Sequence, residues 1–377
     1  MAQSKFEAHK TALWFFSFLL LLFPVYLGQF DLSGVPVLQY AIYASSLLAY
    51  GLLASKVYFL DGHSRKELLY ITATLVLLAL GVVFSGIRSL FSTGLLVIAC
   101  RDVPFSKIAK CGFFFFAGAI LINALLVLLG VLEDTTIIRG ELIGQGNVRH
   151  TLGFGYPNTL ALWGMVTVFG ALLFSQKGFR VPLLALVFSV GLFLLTDSKA
   201  AFLSSLLAIV LCLAFRAAKN TLTKWAWAPA AAAALVALAA FGFIGLALLY
   251  REDSRAFALL NTLFSQRLGY ANQGFQLFGA SLFGAHVDFG WDPVDSLYAY
   301  GPICLGVVPS LLYLGFGVYA AYRGAKAGRW EIVAVALAGA LYSTMEYSLI
   351  NPIFVPIYAF SAALEAPTGE KKKNPSV

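Results

Sequence analysis

Apolar residues run through this chain in blocks of membrane-crossing length, separated by short polar clusters. The blocks fall at about 11–28, 37–56, 68–86, 88–100, 111–132, 159–175, 181–196, 200–215, 225–250, 297–322, 331–347 and 350–365. A helix needs roughly 20 apolar residues to cross a hydrocarbon core about 30 Å thick. Barrel strands would instead alternate apolar and polar over about ten residues. The pattern therefore predicts an all-α integral membrane protein with about twelve transmembrane helices. The fourth and last blocks are short, as tilted, partial or re-entrant segments are, and Pro352 and Pro356 predict a broken final helix. No small-residue cleavage site follows the first block, which is expected to remain as a span.

Composition strengthens this picture: 60% of residues are hydrophobic, 12% are charged, and mean hydropathy is +0.83. That excludes an ordinary soluble domain. The net charge of +8 follows the positive-inside rule rather than marking a nucleic-acid partner. With both termini placed in the cytoplasm, Lys56, Arg65, Arg101, Lys107, Arg180, Arg216, Lys219, Arg323 and Arg329 fall among the basic residues of the inner loops. Only Arg88, Arg139, Arg149, Lys199, Arg251, Arg255 and Arg267 fall outside. Cys100, Cys111, Cys212 and Cys304 lie in or beside apolar blocks without ligand spacing, as buried small hydrophobes do.

Residues 1–365 form one polytopic membrane domain, and 366–377 a disordered cytoplasmic tail. No internal repeat is visible. Two outer segments, 133–158 and 251–296, exceed what a connector needs. The second carries an amphipathic helical pattern through Phe257, Leu260, Leu263, Phe264, Leu268, Ala271, Phe275 and Phe278, and Gly269, Gly274 and Gly279 predict a bend in it.

The outer cations sit in polar company that suggests a pocket. Arg149 is followed by a glycine-rich turn and has the planar fork that grips oxyanions; alternatively it pairs with Glu141 or Asp134. His150 suits general-base work, or is an exposed loop histidine. Asn158, after Pro157, is expected to cap the next span. Lys199 either meets a lipid diphosphate or bridges to Asp197, and Arg267 either binds phosphate or snorkels along the interface. Asp295 opens a span. Glu346 sits at the outer end of an apolar block, where a carboxylate needs a partner or a proton-transfer role. His286, Asp288 and Asp292 fit no standard metal-ligand spacing, so no metal or cofactor is expected.

Five stretches, in order, resemble the Wzy-type polysaccharide polymerases of the O-antigen polymerase and ligase group. "RHTLGFGYPNTLA" resembles that family's Arg, Gly-Phe and His-Pro-Asn segment, and "LTDSKAAF" its Ser-Arg loop. "FSQRLGYANQGFQLFGASLFG" is similar to its Arg-bearing outer helix, while "DSLYAYGPICLG" and "MEYSLINP" match Asp-x-x-Tyr and Glu-x-x-x-x-Asn patterns. Two departures are Tyr156, where many relatives carry His, and Lys199, where many carry Arg.

The resemblance implies a C-type glycosyltransferase fold in the bacterial cytoplasmic membrane. It also implies metal-independent, inverting polymerisation of undecaprenyl-diphosphate-linked repeat units at the outer face, beside flippase and chain-length regulator partners. Arg149, Arg267, Lys199, Tyr156 and Asn158 would bind substrate, while Asp295, Glu346 or His150 would deprotonate the acceptor hydroxyl. The alternatives are ligase-type transfer to another acceptor, or a lipid flippase. Against the flippase, span centres are nearly free of charge.

Overall fold

The structure is a computed structural model that describes residues 2–30, 35–139, 147–175, 178–289 and 294–363. Its elements are α1 (Ala2–Leu27), α2 (Pro36–Ser55), α3 (Arg65–Ser85), α4 (Ser89–Ile98), α5 (Phe105–Leu128), β1 (Thr136–Arg139), β2 (Asn147–His150), α6 (Pro157–Phe174), α7 (Arg180–Thr196), α8 (Lys199–Leu222), α9 (Ala228–Leu248), α10 (Arg255–Leu263), α11 (Arg267–Phe278), α12 (Leu297–Tyr300), α13 (Val307–Lys326), α14 (Trp330–Ser343) and α15 (Val355–Tyr358). Seven segments, built on α1, α2, α3, α5, α6, α8 and α9, are long and apolar enough to cross a membrane. The chain is thus a mostly helical, multi-pass membrane protein.

Helix α6 is the centre of the bundle: 78% of its apolar window is buried, against a third or less for the other six. Lipid tails are as apolar as leucine, so such a helix is held by close packing rather than by water exclusion. Glycines permit the approach. A Cβ on Gly164 would lie 1.9 Å from Leu192 Cδ1, and one on Gly170 would lie 3.2 Å from the Phe113 Cα. Trp163 fills the space on α6 among the rings of Tyr26, Phe115, Phe116 and Phe154. Outward-facing leucines, valines and phenylalanines such as Leu47, Leu69, Val83 and Leu194 are left exposed, as lipid-facing positions are.

One end of the bundle is tied by cations. Lys10 meets Asp102 at 3.3 Å, and Arg101 meets Glu67 at 3.2 Å. Arg216 donates to the carbonyls of Ser175 and Gly178, while Arg323 donates to those of Phe360 and Ser361. These bonds join residues that the sequence pattern assigns to one side of the membrane. A capping box starts α3: Ser64 Oγ accepts from Glu67 N, and Glu67 Oε2 accepts from Ser64 N.

The expected mostly helical fold is present, with a short hairpin added in which Thr136–Arg139 pairs antiparallel with Asn147–His150. Other expectations are corrected. The block at 297–322 is not one helix. Pro302 and the left-handed Gly306 (φ 98°) open a π-turn at Gly301–Leu305 between α12 and α13. Residues 281–285 run beside this opening: Ser281 N donates to Pro302 O, Ala285 N to Cys304 O, and Val307 N to Ser281 O. Those bonds satisfy backbone groups that a broken membrane helix would otherwise leave unpaired. Gly306 is needed for the approach, since a Cβ there would lie 2.4 Å from the Phe283 carbonyl carbon.

The amphipathic segment at 257–278 is two helices, and the bend is not at a glycine. Ser265 (φ 51°) and Gln266 (φ 68°) turn the chain in left-handed conformation, whereas Gly269 and Gly274 make room for Asn261 and Val294. Helix α14 stops at Ser343, earlier than the 347 expected, so Glu346 lies in a turn beyond it. The last block is broken as its prolines require, into short pieces at Pro352–Phe354, Val355–Tyr358 and Ala359–Ser361. The expected tail at 366–377, Glu141 and Asp292 lie outside the described residues.

Candidate functional site

At the opposite end, the β1–β2 hairpin is anchored by Asp134. Its Oδ1 accepts from the backbone N–H of Thr151 (3.0 Å) and Leu152 (2.8 Å), and its Oδ2 lies 2.6 Å from His150 Nδ1. Partial burial alone would raise this carboxyl, but the His150 bond and the two backbone donors hold it below the usual carboxylate range. The anchor fixes a turn through Leu152 (φ 45°) and Gly153 (φ 76°) that leads into α6.

Arg149, one residue before His150, points the other way across the bundle end. Its Nε donates to the Thr196 carbonyl at 2.6 Å, and its Nη2 donates to Asn158 Oδ1 at 2.6 Å. Thr196 ends α7, so a cation there also meets the negative end of the helix dipole. Asn158 therefore orients a guanidinium rather than capping α6; Tyr156 occupies the cap position and makes no side-chain cap bond. Asp197, in left-handed conformation (φ 47°), then reverses the chain into α8. This reversal sets Lys199 exposed at the first position of α8, with no ion pair to Asp197 among the described residues.

Arg267 opens α11 and reaches inward rather than snorkelling. Its Nη2 lies 2.8 Å from Asp295 Oδ2 and 4.0 Å from Glu346 Oε1. Its Nε donates to the Met345 carbonyl (3.3 Å) and its Nη1 to that of Ser265 (3.2 Å). Burial raises the Glu346 carboxyl, the Asp295 charge raises it further, and Arg267 only partly opposes this, leaving it pushed up to about 7. Asp295 is also raised by burial, against the pull of Arg267.

These residues, up to about 200 positions apart in sequence, meet at one cavity of about 430 Å³. Arg149, Asn158, Lys199, Arg267 and Glu346 line it, and Asp295 adjoins through its bond to Arg267. His150 is turned into the Asp134 anchor and Tyr156 is two-thirds exposed; neither is among the lining residues. Among the described residues, no three His, Cys, Asp or Glu side chains gather as a metal-ligand group.

Two features escaped the sequence reading. Asp134 was visible only as an alternative partner for Arg149, because the antiparallel register that brings it to His150 is not encoded locally. The Ser265–Gln266 turn has no glycine to announce it. A second cavity, about 440 Å³ and walled mostly by apolar residues of α9 and α13, is also lined by Tyr298 and Ser343. Ser296 Oγ donates to the Ser343 carbonyl, joining the start of α12 to the end of α14. Compared with known proteins, the chain matches no family model, no curated sequence and no solved structure.

Proposed function

We propose that this end of the bundle faces outward and transfers a glycan from an undecaprenyl-diphosphate carrier to the hydroxyl of a lipid-linked repeat unit, lengthening a surface polysaccharide. The reading rests on one observation: Arg149, Lys199 and Arg267 converge with Glu346 on a single cavity. In this reading about twelve spans cross a bacterial cytoplasmic membrane, with both termini inside, as the loop charges favour.

The chemistry follows from the residues. Glu346, its carboxyl near 7, takes the proton of the acceptor hydroxyl. The new C–O bond forms at the anomeric carbon as the bond to the diphosphate breaks, and the electron pair leaves on the diphosphate. Arg149, Lys199 and Arg267 meet that growing charge, which is strongest in the transition state. Asn158 and the Thr196 carbonyl orient the Arg149 fork, and Asp295, at 2.8 Å, positions Arg267. A diphosphate drawing Arg267 toward itself loosens its hold on Glu346 and makes that carboxylate more basic as substrate binds. The apolar cavity lined by α9 and α13 suits the carrier's isoprenoid chain.

Purified protein supplied only with lipid-linked repeat units tests the reading. A ladder of lengthening chains is expected. Transfer only after addition of a different acceptor would instead make it a ligase, and vesicle-lipid translocation without any elongation would overturn glycosyl transfer altogether.

A further inference from the structure

A third cavity, of about 550 Å³, opens on the other side of the Ser265–Gln266 turn. Gln266, Asn272, Gln273 and Gln276 line it together with Tyr250 and Tyr270. Among the described residues, no Lys, Arg or His lines it and no aliphatic side chain does either. That chemistry is unlike both neighbouring cavities, one cationic and one apolar. We infer that it is a saccharide-binding subsite, selective for neutral sugar rings, that holds the glycan while its linkage is remade next door.

The lining decides the ligand class. A carboxamide presents a donor and an acceptor in one plane, matching neighbouring sugar hydroxyls, each of which both donates and accepts. A phenol ring offers an apolar face with a polar tip, matching the C–H face of a pyranose. An acidic sugar or a phosphate calls for cations, which are missing from this lining, and Glu252 at the same cavity repels one. An apolar tail or an apolar peptide anchor would strip water from amides without replacing their hydrogen bonds. A neutral, hydroxyl-rich ligand satisfies the wall.

The wall is also preorganised. Asn261, almost wholly buried, donates through Nδ2 to Gln266 Oε1 (2.6 Å) and Tyr250 Oη (3.2 Å), and accepts from Gly269 N (2.9 Å). Asn272 donates to the Ala247 carbonyl, and Gln276 donates to Asn272. Tyr270 and Gln273, three residues apart on α11, make no side-chain hydrogen bond among the described residues. They are the groups left for a ligand. Location fits as well. Ser265 and Arg267 line the cationic cavity while Gln266 between them lines this one, so a single turn separates the two.

The inference deepens the glycosyl-transfer reading and rests on it for its role, but binding can be measured alone. The full chain in lipid nanodiscs is applied to an array of neutral and acidic bacterial oligosaccharides and of peptides. Neutral glycans should bind, and the Tyr270→Ala/Gln273→Ala double variant should bind them at least tenfold more weakly. Binding to no glycan, preference for acidic glycans or peptides, or unchanged binding by the double variant overturns the subsite. Arg267→Ala separates the two ideas: it should keep glycan binding while losing transfer. If it keeps transfer, the assignment of the cationic cavity fails, whatever the array shows.

Discussion

Both ends of the bundle are rich in cations, but they use them differently. At the end bearing Lys56, charges close on one another: Lys56 Nζ lies 2.8 Å from both Asp61 oxygens and 2.8 Å from the Arg101 carbonyl, fully buried. Arg329 pairs with Glu331, and Arg323 is spent on the carbonyls of Phe360 and Ser361. At the hairpin end, Arg149 bonds to the Thr196 carbonyl and to Asn158, Lys199 makes no ion pair among the described residues, and Arg267 is shared between two carboxylates that burial raises. A cation with a dedicated carboxylate fastens structure. One that lines an open cavity can meet an arriving anion. Arg149, Lys199 and Arg267 are of this second kind.

The sharpest way to break this contrast is to remove a cation of the second kind. If the hairpin end transfers a glycan as proposed, Arg267→Ala and Arg149→Ala should each lower chain elongation by about 10²-fold or more, the range for losing one donor to transition-state charge. Protein abundance should stay normal. Arg149→Lys should recover only part of the activity, since an ammonium cannot engage Thr196, Asn158 and an oxyanion as a fork does. Product length on gels reads the outcome, and wild-type ladders from either alanine variant would dissolve the distinction between the ends.

Next in size is Glu346. If it takes the acceptor proton, Glu346→Gln should slow transfer by roughly 10²-fold. The wild-type rate should fall as pH drops through about 7, because only the ionised carboxylate accepts a proton. The stability consequence has the opposite sense. A carboxyl raised by burial favours the folded state while protonated and loses that contribution as pH rises through about 7. Glu346→Gln should therefore unfold at a higher temperature than wild type at pH 8, and at a similar one at pH 5. A rate indifferent to pH between 6 and 8 would leave the base elsewhere.

How much of this was legible in the sequence differs between the same two regions. Block length and loop charge located the helices to within a few residues in most cases, because helix length in a membrane is set by bilayer thickness. The cations that the loop-charge pattern assigns to the outer side, and Glu346, were legible for the same reason: each is costly where that pattern puts it, so each stands out. What stayed hidden depends on pairing between distant segments. The hairpin register, the insertion of 281–285 beside the π-turn, and the Asn158–Arg149 bond are properties of the assembled bundle. Asn158 shows the limit well. Pro-Asn at a helix start reads locally as a cap, yet its oxygen serves a guanidinium from another element.

A smaller effect is expected from the anchor beneath the site. Asp134 does not touch the cavity; it fixes the strand from which Arg149 projects. Asp134→Asn keeps the shape but weakens the bonds, which now lack a charge. Elongation should drop several-fold, with most of the loss in KM, because the fork is misplaced rather than absent. His150→Gln should behave similarly. Loss as deep as that of Arg149→Ala, with KM unchanged, would move His150 from anchor to reacting group.

The smallest effect on elongation, none at all, tests the other half of the comparison. Lys56 and Asp61 form a buried pair, and breaking it from one side leaves an uncompensated charge in a dry site, at a cost of about 3–5 kcal/mol. Replacing both partners by apolar residues of similar size removes the charge and its desolvation together, which is often neutral or stabilising. Lys56→Met or Asp61→Leu alone should thus reduce folded protein sharply, while the double variant should fold like wild type and elongate chains at the wild-type rate. Melting temperature and ladder length, measured on the same preparations, check both halves. A double variant that folds normally but no longer elongates would show that this end also acts in the reaction, and the division between fastening cations and anion-binding cations would have to be given up.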